Sequence, residues 1–203
     1  MAVKLVIVGG VAGGATAAAR ARRVSEDAEI IIFERGEYIS FANCGLPYYI
    51  GNVIKQRDDL LLATPEEFKQ RYNIDVRIFS EVVGINTKEK AVEIKNTSTG
   101  KTYWEGYDKL ILSPGAQPIK PPLEGIELEN IFHLRNVPDS DRIKKIVDER
   151  NPRCAVAVGG GFIGLEMAEN LTDRGVKTTI VEMLDQVMPT LDYEMAALLH
   201  EHL

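Results

Sequence analysis

The chain has 203 residues, of which 45% are hydrophobic and 27% are charged, and its formal net charge is −6. This length suffices for a buried core in one or two domains. The acidic balance argues against a nucleic acid or an anionic membrane as partner, and no apolar run approaches the roughly 20 residues of a membrane span. Two cysteines are too few for a disulfide framework, so we expect a cytoplasmic protein with reduced thiols.

The chain opens with a pattern of strand, glycine turn, helix and strand. The apolar run Lys4–Val8 leads into Gly9-Gly10-Val11-Ala12-Gly13-Gly14, and an alanine-rich helix follows to about Arg23. The next apolar strand, Glu29–Phe33, ends at Glu34. In a dinucleotide-binding βαβ unit the glycines let a pyrophosphate approach the helix N-terminus, and the acid binds a ribose hydroxyl. Val11 departs from the G-x-G-x-x-G template, which leaves an ordinary tight turn as the alternative.

The middle of the chain predicts a helix and a small sheet. The segment Thr64–Glu67 carries a capping-box signature for a helix that runs to about Tyr72. Four β-like pieces follow between residues 76 and 106, and they predict an antiparallel meander whose first strand is Val76–Phe79. A buried strand at Leu110–Leu112 then closes on a Ser-Pro-Gly-Ala turn.

After a proline-rich crossing and a polar helix, roughly Asp139–Arg150, the opening pattern repeats. Strand Ala155–Val158 leads into Gly159-Gly160-Gly161-Phe162-Ile163-Gly164, a helix to about Arg174, and a strand that ends at Glu182. This copy satisfies the glycine template in full. Because two accidental copies of one pattern are improbable, the repeat favours two nucleotide-binding units. Only an amphipathic helix is predicted after Glu182, so the second unit lacks the further strands of a doubly wound domain.

Residues 40–49, Ser-Phe-Ala-Asn-Cys-Gly-Leu-Pro-Tyr-Tyr, hold an isolated cysteine, Cys44. A thiol between small polar residues and a glycine is either a nucleophile or a small core residue. Cys154 begins a predicted buried strand, where we expect inert packing. His133, His200 and His202 show no metal-ligand spacing, so no metal site is predicted.

These features, in this order, resemble the flavoprotein reductases with two dinucleotide-binding domains. The marks are Gly9–Gly14 with Glu34, then Cys44, then Tyr107–Ala116, and last Gly159–Gly164 with Glu182. The resemblance implies an α/β fold of two Rossmann-like units with a small antiparallel β-meander, the second unit being truncated. It also implies an FAD-binding domain over residues 1–120, with the meander at 76–106, and part of an NAD(P)H-binding domain over residues 121–203.

The cysteine pattern resembles one branch of that family. Glutathione-reductase-like members carry a second cysteine where this chain has Tyr49, and the Cys-x-x-Cys of thioredoxin-reductase-like members is absent. A single cysteine in Ser-Phe-x-x-Cys-Gly is similar to NADH oxidases, NADH peroxidases and coenzyme A disulfide reductases. The fuller string most resembles the last group, including its rhodanese-fused, persulfide-reducing relatives. Ala12 stands where the oxidases and peroxidases carry a histidine, which favours coenzyme A disulfide further.

The resemblance implies roles for the matching positions, with Cys44 as the redox-active residue. The implied FAD contacts are Gly9, Gly10, Val11, Ala12, Gly13, Gly14, Glu34, Arg35, Ser113, Pro114 and Gly115. The implied contacts to NADH (or NADPH) are Gly159, Gly161, Phe162, Ile163, Gly164, Glu166 and Glu182. Glu166 is alternatively a plain helix residue. Glu182 favours NADH, because its charge would repel a 2′-phosphate.

Thr16, Arg20 and Arg23 share one face of the first helix. This face is either a solvated helix end or, as the resemblance implies, a phosphate cradle for coenzyme A. Ser40 and Asn43 either bind the thiol ligand or stabilise the turn.

Three functions are therefore open. The first is FAD-dependent reduction of coenzyme A disulfide or coenzyme A persulfide by NAD(P)H through Cys44. The second is an NADH oxidase or peroxidase that cycles Cys44 through sulfenic acid. The third is a nucleotide-binding module without turnover. For the full-length protein the resemblance implies a homodimer that acts on a small-molecule substrate.

Overall fold

A computed structural model describes residues 2–203, which form two compact units. The first unit contains the residues up to Ala42 together with Leu61–Gln117, and the second contains Asn43–Leu60 together with Pro118–Leu203. The segment that carries Cys44 thus belongs to the second unit, although it interrupts the first in the sequence. Within residues 2–203, no helix is both long and apolar enough to cross a membrane.

The regular elements follow each other closely in both units. The strands are β1 (Lys4–Val8), β2 (Glu29–Phe33), β3 (Asp75–Arg77), β4 (Ser80–Asn86), β5 (Ala91–Asn96), β6 (Thr102–Gly106), β7 (Lys109–Leu112), β8 (Cys154–Val158) and β9 (Lys177–Val181). The helices are α1 (Gly13–Val24), α2 (Leu46–Ile50), α3 (Pro65–Tyr72), α4 (Val137–Arg150), α5 (Phe162–Asp173) and α6 (Tyr193–His200). Short 3₁₀ turns lie at Asn43–Gly45 and Arg57–Leu60.

The first unit is built on a four-stranded parallel sheet in the order β3-β2-β1-β7. Its central strands are apolar on both faces, as expected for parallel strands that are covered on both sides. On one face, Ile7 and Ile32 pack with Ala18 of α1 and Phe68 of α3. On the other face, residues of β1 and β2 pack against Val92 and Ile94 of the meander strand β5.

The antiparallel meander consists of β4, β5 and β6. The predicted first meander strand, Val76–Phe79, is wrong in its pairing, because β3 pairs in parallel with β2 and extends the main sheet. Glu105 of β6 joins the meander to this sheet. Its carboxylate lies 2.6 Å from Lys4 Nζ and 2.6 Å from Arg77 Nη1.

The second unit contains the parallel pair β8 and β9, with α4, α5 and the Cys44 segment in its core. Ile50 of α2 is fully buried and packs with Val147, Leu171 and Val176. The other face of the strand pair is uncovered within residues 2–203, where Val156 is 62% and Val158 is 84% exposed. Cys154 lies on this exposed face, so the expectation of a buried cysteine there is wrong.

The predicted α/β fold, with two βαβ units and a small antiparallel meander, is confirmed. Both glycine turns lie between a parallel strand and a helix, as the patterns predict. The capping box that begins α3 is present, since the Thr64 hydroxyl accepts from Glu67 N–H while the Glu67 carboxylate accepts from Thr64 N–H. An equivalent box formed by Asn136 and Asp139 begins α4.

Candidate functional site

The first glycine turn brings three backbone segments into close approach. Gly9 has a φ of +93°, and its N–H donates to the carbonyl of Phe33 at 2.8 Å. A Cβ at Gly9 would lie 2.0 Å from the carbonyl oxygen of Ser113, and one at Gly14 would lie 1.8 Å from the carbonyl oxygen of Gly9. Only glycine fits at both positions, so the chain can turn tightly from β1 into α1.

Glu34 is held against this turn at the end of β2. One carboxylate oxygen accepts from Gly10 N–H at 2.8 Å, and the other accepts from Gly36 N–H at 2.9 Å. The residue is only 8% exposed. Each oxygen retains a further lone pair, which is what an acid needs to accept from the hydroxyls of a ribose.

The second turn repeats this geometry. Gly159 has a φ of +105°, its N–H donates to the carbonyl of Val181 at 2.8 Å, and a Cβ at Gly164 would lie 1.9 Å from the carbonyl oxygen of Gly159. Glu182 accepts from Gly160 N–H at 2.6 Å. Backbone hydrogen bonds from Leu184, Gly160 and Met183 lower the pKa of the Glu182 carboxyl, so the carboxylate stays ionised.

The repeat continues past each acid, which the sequence analysis missed. Ser40 and Met188 follow Glu34 and Glu182 at the same spacing, and both have left-handed backbones with φ of 44° and 48°. Their N–H groups donate to equivalent carbonyls, Ser40 to Gly10 at 3.0 Å and Met188 to the corresponding turn glycine at 2.7 Å. The residues between the acid and the left-handed residue differ in the two copies. Only the equal spacing from acid to left-handed residue could have predicted this second correspondence from the sequence.

The helices that follow the two turns begin without side-chain caps. Ala12 at α1 and Gly161 at α5 provide no capping side chain, whereas α3 and α4 begin with complete capping boxes. The first N–H groups of α1 and α5 therefore have no side-chain acceptor in the described chain. Such N–H groups, next to glycines that leave room for a ligand, fit the pyrophosphate of a dinucleotide.

The other predicted nucleotide contacts lie around the two turns. In the first unit, a Cβ at Gly13 would lie 3.1 Å from Ser113 Oγ, so the structure brings the end of β7 to the turn. The positions that are exposed are Ala12, Gly13, Arg35, Pro114, Gly115, Phe162 and Ile163, while Val11 and Glu166 are half-buried. The carbonyl of Glu166 accepts from the Asn170 side chain at 2.8 Å, which supports an ordinary helical role for its backbone.

A cavity of about 590 Å³ lies between α1 and α3 in the first unit. Four of the five predicted substrate residues line it, namely Thr16, Arg20, Arg23 and Ser40, while Asn43 does not. Gln70, Arg71 and Tyr72 of α3 also line it. The described residues offer no hydrogen bond or ion pair to the guanidinium groups of Arg20, Arg23 or Arg71, so these charges are available to an anionic ligand. The resemblance implied a further basic substrate contact where this chain has Tyr72 with Arg71 beside it, and the sequence left that contact open; Gln70 was missed, because the sequence alone does not say which face of α3 meets α1.

Cys44 is exposed and lies in the 3₁₀ turn directly before α2. It forms no disulfide, and Cys154 is free as well. The side-chain oxygen of the preceding Asn43 is buried and has no hydrogen-bond partner among residues 2–203. A reactive thiol here therefore has an unsatisfied acceptor beside it in the chain.

The helix behind the thiol is anchored at its far end. Arg174 donates to the carbonyl of Ile50 at 2.9 Å and to Asp148 at 2.6 Å. Lys144 lies 5.3 Å from the centre of the Tyr49 ring. Burial raises the pKa of the Tyr49 hydroxyl, and the negative charge of a neighbouring aspartate on α4 raises it further. The place of a second cysteine is thus filled by a buried, neutral tyrosine.

The sequence profile described as pyridine nucleotide-disulphide oxidoreductase matches residues 3–203. The chain belongs to this family. The family-level resemblance of the motifs is therefore confirmed. The coenzyme A disulfide reductase of Staphylococcus haemolyticus is 42% identical over 200 residues, which cover 98% of this chain and 45% of that protein. The chain thus spans less than half the length of this relative.

Three solved structures are similar to nearly the whole of this chain and to less than half of their own chains. The crystal structure of reduced CoADR-RHD from Bacillus anthracis is 62% identical with a TM-score of 0.96, covering 100% of this chain and 36% of that one. The NAD-dependent persulfide reductase from A. fulgidus is 38% identical with a TM-score of 0.93, covering 98% and 38%. The water-forming NADH oxidase from Lactobacillus brevis is 26% identical with a TM-score of 0.90, covering 99% and 44%.

Proposed function

We propose that the chain carries the redox thiol and both dinucleotide units of an FAD-dependent NAD(P)H oxidoreductase that reduces coenzyme A disulfide or coenzyme A persulfide. The observation that carries this proposal is the exposed, unpaired Cys44 followed by Tyr49 in the place of a second cysteine. A thiol without a neighbouring resolving cysteine is suited to form its disulfide with a separate molecule, such as a small thiol. Relatives named for coenzyme A disulfide and persulfide reduction support the choice of that molecule.

The first glycine turn and Glu34 would bind FAD within a domain of residues 1–120, and the second turn and Glu182 would bind NADH within residues 121–203. The tight glycine turns, the uncapped helices α1 and α5 and the two acids fit such ligands. The anionic Glu182 favours NADH over NADPH, because Met183, Leu184 and Asp185 after it supply no cation for a 2′-phosphate. The flavin, when bound, supplies the hydride chemistry.

The cavity between α1 and α3 would bind the phosphates of coenzyme A. Arg20, Arg23 and Arg71 present three guanidinium groups to it, and Thr16 and Ser40 add hydroxyl groups. Arginine forks match phosphate oxygens bidentately, which suits a ligand with several phosphates. Glu67 also lines the cavity, but its carboxylate is engaged in the capping box, so it competes less with the ligand.

The chemistry assigned to Cys44 is thiol–disulfide exchange. The Cys44 thiolate attacks one sulfur of coenzyme A disulfide, the sulfur–sulfur bond breaks, and one coenzyme A thiolate leaves and takes up a proton. This gives a mixed disulfide between Cys44 and coenzyme A. Two electrons that originate from NADH then return Cys44 to the thiolate and release the second coenzyme A.

The test compares Cys44→Ser with Cys154→Ser in the flavin-loaded protein. Both cysteines are exposed and free, which makes Cys154 a matched control. We expect Cys44→Ser to abolish NADH-dependent reduction of coenzyme A disulfide, because the mixed disulfide cannot form. Cys154→Ser should retain the activity. Full activity of Cys44→Ser would rule the proposal out.

A second candidate is an NADH oxidase or peroxidase that cycles Cys44 through sulfenic acid, supported by the similarity to the Lactobacillus brevis oxidase. The rate of NADH oxidation with coenzyme A disulfide as the oxidant, compared with the rate with oxygen or peroxide, distinguishes the two candidate functions. A nucleotide-binding module without turnover is excluded if NADH bleaches the flavin spectrum of the protein. We propose that the whole protein is a cytoplasmic homodimer.

A further inference from the structure

The cavity between α1 and α3 runs along both helices and reaches their C-terminal ends. Two of its basic residues, Arg23 on α1 and Arg71 on α3, lie in the last turns of these helices, and Arg20 lies about one turn earlier on α1. The last carbonyl groups of a helix have no intrahelical partner and carry partial negative charge. An anionic group bound at this end of the cavity would therefore meet two negative helix ends unless a cation neutralises them.

Arg22 provides that cation without lining the cavity. Its Nε donates to the carbonyl of Tyr72 at 2.7 Å and its Nη2 to the carbonyl of Asn73 at 3.0 Å, both at the end of α3. Its Nη1 donates to the carbonyls of Ser25, at 3.2 Å, and Glu26, just after α1. One guanidinium thus joins the ends of both helices that wall the cavity.

We propose that Arg22 is a positioning residue for the anionic ligand of this cavity. It fixes the separation of the α1 and α3 ends, and with it the distance between Arg23 and Arg71 across the cavity. It also neutralises the carbonyl oxygens that would repel the ligand. The assignment rests on the proposed function, in which the ligand is coenzyme A.

The chemistry of arginine is needed for this role. A planar guanidinium has five N–H donors in a fixed fork, so it can serve carbonyls on two helices at once. A lysine at this position keeps the positive charge but has a single, mobile ammonium group. Arg22→Lys therefore removes the bridge between the helices and leaves the net charge unchanged.

The experiment measures binding of adenosine 3′,5′-bisphosphate, the nucleotide part of coenzyme A with two of its three phosphates, to the 203-residue chain by titration calorimetry. Arg150→Lys is the matched control, since Arg150 is an exposed arginine in the last turn of α4 in the other unit. We expect Arg22→Lys to raise the dissociation constant about tenfold, or about 1.4 kcal/mol. Arg150→Lys should bind as the unchanged chain does.

The calorimetric stoichiometry separates positioning from folding. If Arg22 only stabilised the fold, Arg22→Lys would lower the fraction of chains that bind and leave their dissociation constant unchanged, which would overturn the assignment. A binding constant equal to that of the unchanged chain at full stoichiometry would overturn it as well. No binding by the unchanged chain would overturn the proposed ligand, and the role of Arg22 with it.

Discussion

Gly9 and Gly159 occupy the same place in the two halves of the repeat, and their substitution separates two physical effects. Both have a left-handed φ, +93° and +105°, so alanine at either position carries a strain of ~1–2 kcal/mol. A Cβ at Gly9 would also lie 2.0 Å from the Ser113 carbonyl oxygen, whereas among residues 2–203 nothing lies within 4 Å of a Cβ at Gly159. Relieving such an overlap costs a further ~1–3 kcal/mol.

We therefore expect Gly9→Ala to lower the free energy of unfolding of its unit by about 2–5 kcal/mol, and Gly159→Ala by only about 1–2 kcal/mol. The lower chain entropy of an unfolded alanine variant affects both equally and cancels in the comparison.

Hydrogen exchange measured by mass spectrometry checks each unit separately, because global unfolding of a two-unit chain is not two-state. Protection factors of the β1 amides should fall more in Gly9→Ala than those of the β8 amides fall in Gly159→Ala, and the two falls should differ at least about fivefold, which corresponds to about 1 kcal/mol. Equal losses, or a larger loss at Gly159, would refute the reasoning from the Ser113 contact.

Three further predictions concern charges and a cap. Burial raises the pKa of Glu105, but the hydrogen bonds from Lys4 and Arg77 outweigh it and lower that pKa from its ordinary 4.5. The ion pair therefore stabilises the fold fully above pH 4.5 and is lost as the pH falls through the folded value. Glu105→Gln should cost about 2 kcal/mol at neutral pH and less in acid, which hydrogen exchange of the β6 amides at several pH values measures once the intrinsic exchange rate at each pH is divided out; a pH-independent cost would contradict it. Asn136→Ala should destabilise the second unit by about 1 kcal/mol through the lost cap, and unchanged exchange of the α4 amides would contradict this. Glu182→Ser should lower the ratio of the NADPH to the NADH dissociation constant about tenfold, and an unchanged ratio would show that Glu182 does not select the nucleotide.

Local patterns in the sequence predicted the elements that depend on local physics. The bounds of β1 and β2 follow from continuous apolar runs that end at a glycine turn or an acid, and the start of α3 follows from its capping box. The two acids and the glycines were placed correctly around their turns because strand, turn and helix are neighbours in the chain.

Pairing and burial depended on distant partners and were less predictable. The alternation of side chains in the three residues of β3 is compatible with the main sheet and with the meander. Only the pairing of β3 with β2 assigns it to the main sheet. Cys154 begins an apolar strand, but no residue among 2–203 covers its face, so its composition alone did not predict its exposure. In the run Arg20-Ala21-Arg22-Arg23, helical spacing correctly separated the cavity residues from Arg22, yet the carbonyls that Arg22 meets lie on another helix.

The division of the chain into two units determines which truncated fragments keep a complete core. The polypeptide passes between the two units after Ala42, after Leu60 and after Gln117, so no single cleavage separates them. A fragment that stops at Gln117 would keep the thiol but strip Ile50 of the side chains that bury it. A fragment that ends at Gln117 and carries a short linker in place of residues 43–60 instead keeps the whole core of the first unit, and it omits Cys44 together with the core to which Ile50 belongs.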